Sequence, residues 1–133
     1  MSNSKKNYSL TLTDIITLIV LGLFPVWKIF NINADSAASD IASQLAAEKL
    51  IFLTDQTGVL DKQNNLISAL SFSEIKKLVN SGVITGGMLP KINACINAIK
   101  NNVKMAHIVD GRIQHSVLLE IFTKEGIGTL VKK

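Results

Sequence analysis

The sequence contains one cysteine, one arginine and two prolines in 133 residues, and only 5% of its residues are aromatic. The single cysteine, Cys95, excludes an internal disulfide and therefore a disulfide-stabilised secreted scaffold, and it favours a reducing compartment. Because Cys95 lies in an apolar-periodic segment, we expect it to pack in the core. The shortage of arginine and aromatic side chains removes the groups that read and stack on bases, so the formal charge of +4 does not indicate nucleic-acid binding.

Glycine and histidine are also sparse. Gly22 is the only glycine before Gly58, so the first part of the chain cannot build a glycine-rich phosphate-binding loop. His107 and His115 have no cysteine or third histidine at ligand spacing, and we predict no metal site. His107 fits a hydrogen-bonded core histidine as well as a ligand-binding one, and a surface role is favoured for His115.

The hydrophobic run over residues 15–30 has two interpretations. Two lysines upstream of it would suit a signal peptide or membrane anchor. However, Pro25 and Lys28 interrupt the run, and a membrane-spanning helix needs about 20 predominantly apolar residues. We therefore favour a buried helix followed by a strand, with residues 1–30 forming a divergent amino-terminal segment, and keep the membrane segment as the alternative.

From residue 31 onward, helical periods alternate with short apolar runs, a pattern typical of a mainly parallel sheet covered by helices. An apolar content of 47% in a chain of this length supports one core. We therefore predict an α/β fold, a three-layer α/β/α sandwich, with residues 31–133 as its domain.

The individual elements follow from periodicity and capping signals. A first helix is expected to pack through Ala37, Ile41 and Leu45, flanked by Ala38, Ala42 and Ala46. Strands are predicted over residues 50–53, 105–109 and 127–131, the last at an edge of the sheet. Helices are predicted from a capping box of Ser71 and Glu74 to Gly82, from Gly86-Gly87 to Asn101-Asn102, and over residues 113–122 with Val117, Leu118 and Ile121 facing inward.

Polar turns follow the predicted strands at their carboxyl ends, and parallel strands bring such turns to one edge of a sheet. Lys91 lies in the first turn of a helix that glycines open, where backbone N–H groups and the helix dipole favour an anion. Asp35 starts another helix, where it can cap the helix or hold a lysine. Positive charge, amides and an anchoring carboxylate suit phosphoryl transfer. Taken singly, however, Lys91 also fits a solvated surface charge and Asp35 a simple helix cap. Their spacing alone does not identify a reaction.

Four longer stretches are more specific. They are NINADSAASDIA from Asn31, LIFLTDQTGVLD from Leu50, GVITGGMLPKINAC from Gly82, and AHIVDGRIQHSVLLEIFTKEGIGTL from Ala106. Together they closely resemble the carboxyl-terminal half of acetylglutamate kinases in the amino-acid kinase superfamily. The resemblance implies transfer of the terminal phosphate of ATP, with Mg²⁺ bound to the nucleotide, to the side-chain carboxylate of N-acetyl-L-glutamate.

The resemblance also implies roles for individual residues. Asp35 would organise the catalytic lysines, and Lys91 would stabilise the transferring phosphate. Substrate contacts are implied for Asn31 and Asn33, and a nucleotide pocket for Thr54, Asp55, Gly86, Gly87, Met88 and Lys91. The last stretch resembles arginine-inhibited members, which implies a feedback site around His107, Gly111, Glu120 and Gly126.

The run DIITLIVLGLFPV from Asp14 also resembles the family's helix and strand before Asn31, but the connection after it is shortened to WKIF, and other features of the family are missing. The family's first-strand lysine with its glycines is absent, and so is its substrate-holding arginine, because the only arginine is Arg112. Such losses would lower the rate by about a thousandfold or more. We therefore expect a truncated or disrupted gene, a split enzyme or a fragment, without independent catalysis.

Three functions remain open at this point. The chain is a kinase that a missing amino-terminal half completes, a non-catalytic module that binds nucleotide or arginine, or a membrane-anchored relic. The resemblance implies a cytoplasmic location, or the plastid stroma for an organelle-encoded gene. It leaves the assembly open between a homo-oligomer and a complex with the missing half.

Overall fold

The computed structural model of the protein describes residues 32–124 and 126–133. The predictions for residues 1–30, including the membrane alternative, and the substrate role of Asn31 fall outside this part. Within the described part, no helix combines the length and hydropathy that crossing a bilayer requires.

Helices and strands alternate along the described chain. Their order is α1 (Ala34–Gln44), β1 (Lys49–Thr54), β2 (Ala69–Ser71), α2 (Phe72–Asn80), α3 (Met88–Lys100), β3 (Met105–Asp110), α4 (Ser116–Phe122) and β4 (Thr129–Lys132). The strands form one sheet in the order β1-β3-β4-β2. β1 pairs with β3 in parallel and β2 pairs with β4 in parallel, whereas β3 and β4 are antiparallel. The prediction of a mainly parallel sheet is confirmed.

The sheet separates two helical layers. Phe52, Ile108 and Val131 point from three strands into the main core, which also contains Ile75 of α2 and Ile92 of α3. His107 lies between Ala106 and Ile108 on β3, so its side chain points to the opposite face, where it contacts Glu120 of α4. The arrangement is the predicted three-layer α/β/α sandwich.

Local capping signals predicted the boundaries of α2 and α3. Ser71 and Glu74 form the expected capping box, and Gly82 after the helix has a φ of +71°. α3 begins after Gly87 and ends at Asn101, as predicted. Each signal lies within a few residues of the boundary that it sets, so it needs no distant contact to act.

Two predictions about the sheet were wrong. β4 is not an edge strand but lies between β3 and β2. β2, which covers only Ala69–Ser71, was not predicted at all. Both errors have one cause, because β2 is too short for a recognisable alternation and it is β2 that covers the outer side of β4.

The predicted inward face of the last helix was also wrong. The helix begins at Ser116, because the preceding turn ends at His115 with a left-handed φ of +59°. Its buried residues are Ser116 and Glu120, whereas Val117 is half-buried, Leu118 is 53% exposed and Ile121 39%. The carboxylate of Glu120 faces inward because hydrogen-bond donors are available to it there. The periodicity of apolar residues alone does not predict such a contact.

The predicted packing face of the first helix needs a similar correction. Ser39 and Ala42 are buried, whereas Ile41 is 62% exposed and Leu45 75%. The face that packs is therefore rotated away from these two large apolar residues. α1 buries small side chains only, which allows it to lie close to α3.

Candidate functional site

A cleft of about 670 Å³ opens at the carboxyl end of β1. One wall is formed by the chain that leaves β1, from Thr54 to Asn64, and the other by the start of α3 and the residues before it. Five residues predicted for nucleotide binding line this cleft: Thr54, Asp55, Gly87, Met88 and Lys91. The carboxyl edge of a strand and the amino end of a helix therefore meet here, as the turn positions predicted.

Lys91 and Asp35 form an ion pair beside the cleft. Lys91 Nζ donates to Asp35 Oδ1 and Oδ2, each at 3.1 Å. The two side chains are 24% and 20% exposed, so water still reaches the pair. A lysine ammonium carries three N–H donors, and two of them are directed to Asp35, which leaves one for a ligand in the cleft.

The start of α3 presents backbone donors near this ammonium group. Its first residue follows Gly87, and no side chain caps it. The N–H groups of Met88 and Leu89 donate to carbonyl oxygens in the preceding turn at 3.3 Å each, longer than typical hydrogen bonds. Gly86 adopts a φ of +54°, which places the turn in a conformation that glycine favours. Gly86 itself does not line the cleft.

The loop after β1 is organised by Asp61. Its Oδ1 accepts from the N–H groups of Gln63 and Asn65, each at 2.8 Å, and its Oδ2 accepts from the Asn65 amide at 3.2 Å. The Asn65 backbone N–H is the main cause that holds the pKa of Asp61 below its ordinary value. The turn over residues 61–65 is thus a compact wall of the cleft.

Several cleft residues were missed by the sequence analysis. They are Gln56, Gly58, Val59, Leu60, Asp61, Asn64, Val83, Ile84 and Thr85. The cluster of Asp and Asn between two leucines was a turn signal that could have marked part of this wall. The turn before Gly86 was expected at this edge of the sheet, but its individual residues 83–85 were not named, because their place in the cleft depends on how α2 and α3 are joined.

Cys95 lies behind the ion pair, in the core. It is fully buried, and burial raises the pKa of its thiol to about 12, with a further contribution from the negative charge of Asp35. The thiol is therefore un-ionised at neutral pH, and the predicted packing role is confirmed.

The only arginine of the sequence, Arg112, is hydrogen-bonded to Asp110 at the end of β3. Asp110 accepts from Arg112 Nε at 2.9 Å and from an Arg112 terminal nitrogen at 2.7 Å, and also from the Arg112 backbone N–H at 2.9 Å. The Asp110 side chain is 6% exposed, and the hydrogen bonds from Arg112 lower its pKa to about 2. Asp110 is thus ionised and hydrogen-bonded at any physiological pH.

A second cleft, of about 580 Å³, lies on the α4 side of the sheet. His107 and Glu120 line it, with 2.6 Å between His107 Nδ1 and Glu120 Oε1. Glu120 Oε2 accepts the backbone N–H groups of Ile127 at 2.7 Å and Gly128 at 3.0 Å. Burial raises the pKa of Glu120, but these hydrogen bonds outweigh it and hold the pKa below the ordinary value. His107 Nε2 is buried without a hydrogen-bond partner among the described residues.

The structure brings together three of the four residues predicted for a feedback site. Gly126 lies against Glu120 and lines the second cleft with it and His107. Gly111 does not belong to this group, because it follows β3 and its N–H donates to Thr54 O at 2.8 Å, at the other end of the strand. His115 is exposed and precedes α4, and among the described residues no three His, Cys, Asp or Glu side chains are grouped closely enough to hold a metal.

Asn33 has a structural role at the start of α1. Its side chain accepts from the Ser36 backbone N–H at 3.1 Å, which makes Asn33 the helix cap. The cap position fixes where α1 begins and hence where Asp35 lies in its first turn.

Proteins with similar sequences are named acetylglutamate kinase. The one from Campylobacter fetus is 54% identical over 127 residues, which is 89% of this chain and 45% of the relative. The one from Nautilia profundicola is 51% identical over 128 residues, covering 96% of this chain and 46% of the relative. The chain thus spans under half the length of these relatives.

Solved structures with the same arrangement include N-acetylglutamate synthase from Neisseria gonorrhoeae, described in complex with coenzyme A and L-arginine. It aligns with a TM-score of 0.74 and 32% identity over 80% of this chain and 24% of that one. Carbamate kinase from Giardia lamblia bound to AMP-PNP aligns with a TM-score of 0.61 and 25% identity, over 76% of this chain and 32% of that one. The sequence pattern of the amino acid kinase family matches residues 6–110, which is most of the chain, and the chain therefore belongs to this family.

Proposed function

We propose that residues 31–133 form the nucleotide-binding half of an acetylglutamate kinase and that residues 1–30 are a divergent segment ahead of it. In the proposed reaction, the bond between the β–γ bridging oxygen and the terminal phosphorus of ATP breaks. A bond from that phosphorus to the side-chain carboxylate of N-acetyl-L-glutamate forms, giving an acyl phosphate and ADP. The observation that carries the proposal is the Lys91–Asp35 pair beside a cleft at the carboxyl end of β1.

Lys91 is the proposed catalytic cation. Its remaining N–H donor and its charge would stabilise the phosphate oxygens as negative charge shifts between them. Asp35 holds the ammonium with both carboxylate oxygens, so the cation is in place before the nucleotide arrives. The amino end of α3, with its long backbone hydrogen bonds, adds a field that favours the phosphates.

The two walls of the cleft suit the other parts of a nucleotide. Val83, Ile84 and Met88 provide an apolar surface for a base, and Thr54 and Asp55 provide polar groups for the sugar or phosphates. We assign Mg²⁺ to the nucleotide, where it would neutralise phosphate charge. Support for ATP use comes from the kinase relatives and from the neighbour described with AMP-PNP.

The acceptor site is incomplete in this proposal. Asn31 and Asn33 are assigned to N-acetyl-L-glutamate, and the remaining contacts are assigned to the part of the relatives that this chain does not span, which the family resemblance implies is their amino-terminal half. Catalysis therefore requires that half, supplied within a longer chain or by a second one.

Calorimetric titration with ATP and Mg²⁺ tests nucleotide binding directly. We expect saturable binding within the range of about 1 μM to 1 mM that is common for enzyme substrates. Lys91→Met should weaken it, whereas Lys100→Met, an exposed lysine at the far end of the same helix, should not. Equal effects of the two substitutions, or no binding by the unaltered chain, would contradict the assignment.

The phosphoryl transfer step needs a complementation assay. The amino-terminal half of the Campylobacter fetus relative is added to this chain with ATP and N-acetyl-L-glutamate, and the acyl phosphate is trapped with hydroxylamine. Hydroxamate that depends on both halves and on Lys91 supports the kinase proposal. A mixture that binds ATP and still forms no hydroxamate supports a non-catalytic module instead.

A second function, arginine binding, is favoured by the second cleft. His107 and Glu120 line this cleft, and the carboxylate of Glu120 would suit a guanidinium or amino group. The neighbouring synthase is described with L-arginine. Calorimetry with L-arginine should give saturable binding that Glu120→Gln weakens, and L-citrulline, which lacks the positive charge, should bind less well. Equal binding of the two ligands would exclude recognition of the guanidinium group.

The pathway and location follow from the same proposal. An acetylglutamate kinase acts in arginine biosynthesis, and we place the chain in the cytoplasm, or in the plastid stroma for an organelle-encoded gene. Its assembly would be a homo-oligomer or a complex with the missing half. Size-exclusion chromatography of the chain, alone and mixed with that half, separates these two states.

A further inference from the structure

The contact between α1 and α3 contains a second polar connection besides Lys91 and Asp35. Asn97 Nδ2 donates to Ser39 Oγ at 3.0 Å and to Asp40 Oδ1 at 3.2 Å. Ser39 is fully buried, and its own carbonyl oxygen accepts from the Ser43 hydroxyl at 2.7 Å. Both N–H groups of one amide are thus directed to the neighbouring helix.

The orientation of this amide is fixed from its other side. Asn101 Nδ2 donates to Asn97 Oδ1 at 3.0 Å and to the Asn97 backbone oxygen at 2.9 Å. With the oxygen of Asn97 engaged by Asn101, the nitrogen must face α1. The three side chains Asn101, Asn97 and Ser39 therefore form a directed chain of hydrogen bonds between the helices.

Among the residues that the structure describes, few other contacts fix the rotation of α1 about its axis. It buries only Ser39 and Ala42, and its large apolar residues Ile41 and Leu45 are mostly exposed. Small side chains allow close approach but interlock weakly, so hydrophobic packing alone leaves a helix free to turn about its axis. Polar contacts then decide which way α1 faces.

The contact of Asn97 with α1 lies at a distance from the ion pair along both helices, and it can therefore control the rotation of α1. Asp40 lies about 7.5 Å along α1 from Asp35, and Asn97 lies about 9 Å along α3 from Lys91, at 1.5 Å rise per residue. One contact between two helices acts as a pivot, whereas two contacts separated along the axis fix both rotation and crossing angle. We propose that Asn97 is a positioning residue, which holds α1 at the rotation that keeps Asp35 on Lys91. Its importance for phosphoryl transfer rests on the proposed function, but the geometric claim does not.

The test measures the chemical reactivity of Lys91. The folded chain is acylated with an N-hydroxysuccinimide ester, and the rate at Lys91 is read by mass spectrometry against the exposed Lys76 and Lys77. Asn97→Ala should raise the rate at Lys91 by roughly two- to tenfold, the range that losing one net hydrogen bond allows. Asn93→Ala, an exposed asparagine on the same helix, should leave the rate unchanged. A core variant, Ile99→Val, serves as the control for lowered stability.

A charge exchange distinguishes positioning from general destabilisation. Asn97→Asp alone should raise the Lys91 rate, because it sets two carboxylates against each other. The double variant with Asp40→Asn should return the Lys91 rate to that of the unaltered chain, because the amide donor now lies on α1 and the acceptor on α3.

Three outcomes would overturn the proposal. They are an unchanged Lys91 rate in Asn97→Ala, an equal rise of that rate in Ile99→Val, and a double variant whose Lys91 rate does not return to that of the unaltered chain. The acylation rates are measured without ATP. A chain that fails to bind nucleotide would therefore refute the proposed function, but the effect of Asn97 on Lys91 could still be tested.

Discussion

Thr129, a central residue of the sheet, is hydrogen-bonded to Val59 in the wall of the nucleotide cleft. Thr129 Oγ1 accepts from the Val59 N–H at 2.8 Å and donates to Ile67 O at 2.8 Å. Val59 and Ile67 are also joined directly, through a backbone hydrogen bond of 2.9 Å. A single fully buried hydroxyl thus holds both ends of the loop that carries Asp61.

Thr129→Val should lower the free energy of unfolding by about 2–4 kcal/mol, because it keeps the shape and leaves the buried N–H of Val59 and the part-buried carbonyl of Ile67 without their partner. Urea denaturation measures this loss. Thr129→Ser keeps the hydroxyl and should lose less. Similar losses for the two variants would assign the effect to packing of the methyl group instead.

Asp35→Asn should affect function far more than stability. Because the ion pair is partly exposed, its loss should change the free energy of unfolding by less than about 1 kcal/mol. ATP affinity should fall clearly, since Lys91 is no longer held beside the cleft. Glu48→Gln is the matched control, because Glu48 pairs with Lys104 at the surface and should change neither quantity. A large loss of stability with unchanged ATP affinity would contradict the assigned role of Asp35.

Gly126→Ala and Gly82→Ala separate backbone strain from steric contact. Both glycines have left-handed φ values, +64° and +71°. A Cβ on Gly126 would lie 2.8 Å from Glu120 Oε2, whereas nothing lies within 4 Å of one on Gly82. We expect a loss of about 1 kcal/mol for Gly82→Ala and a larger one, about 2–3 kcal/mol, for Gly126→Ala. Equal losses in thermal or urea unfolding would mean that Glu120 moves aside without cost.

Arg112→Ala should change the acid stability of the protein. The pKa of Asp110 is lowered from 3.8 to about 2 in the folded chain, so its ionised form stabilises the fold above pH 3.8, and this contribution is lost as the pH falls through about 2. Without Arg112, the folded pKa should rise towards 3.8, so the variant should lack this contribution above pH 3.8 and should lose less stability than the unaltered chain as the pH falls from 4 to 2.

Carboxyl NMR titration checks this shift. Asp61, whose pKa is lowered mainly by the Asn65 N–H, serves as an internal reference and should titrate unchanged in the variant. An Asp110 titration that does not move would show that the Arg112 side chain is not the main cause.

The sequence predicted the features that depend on neighbouring residues. The capping box at Ser71, the left-handed Gly82 and the glycine start of α3 each act within a few residues of the boundary that they set. The strands β1 and β3 were also predicted, because each is a short apolar run, although β3 is buried and β1 only partly so. Lys91 and Asp35 were selected as a pair from the chemistry of their helix starts and from the family resemblance.

The tertiary structure decided what depends on distant residues. The 3.1 Å contact between Lys91 and Asp35 joins residues 56 positions apart, and the inward direction of Glu120 depends on donors from β3 and from the segment before β4. The interior place of β4 requires a three-residue strand that has no pattern of its own. Local propensity and periodicity act over one or two turns of chain, whereas burial and ion pairing are set by whichever residues the completed fold brings near.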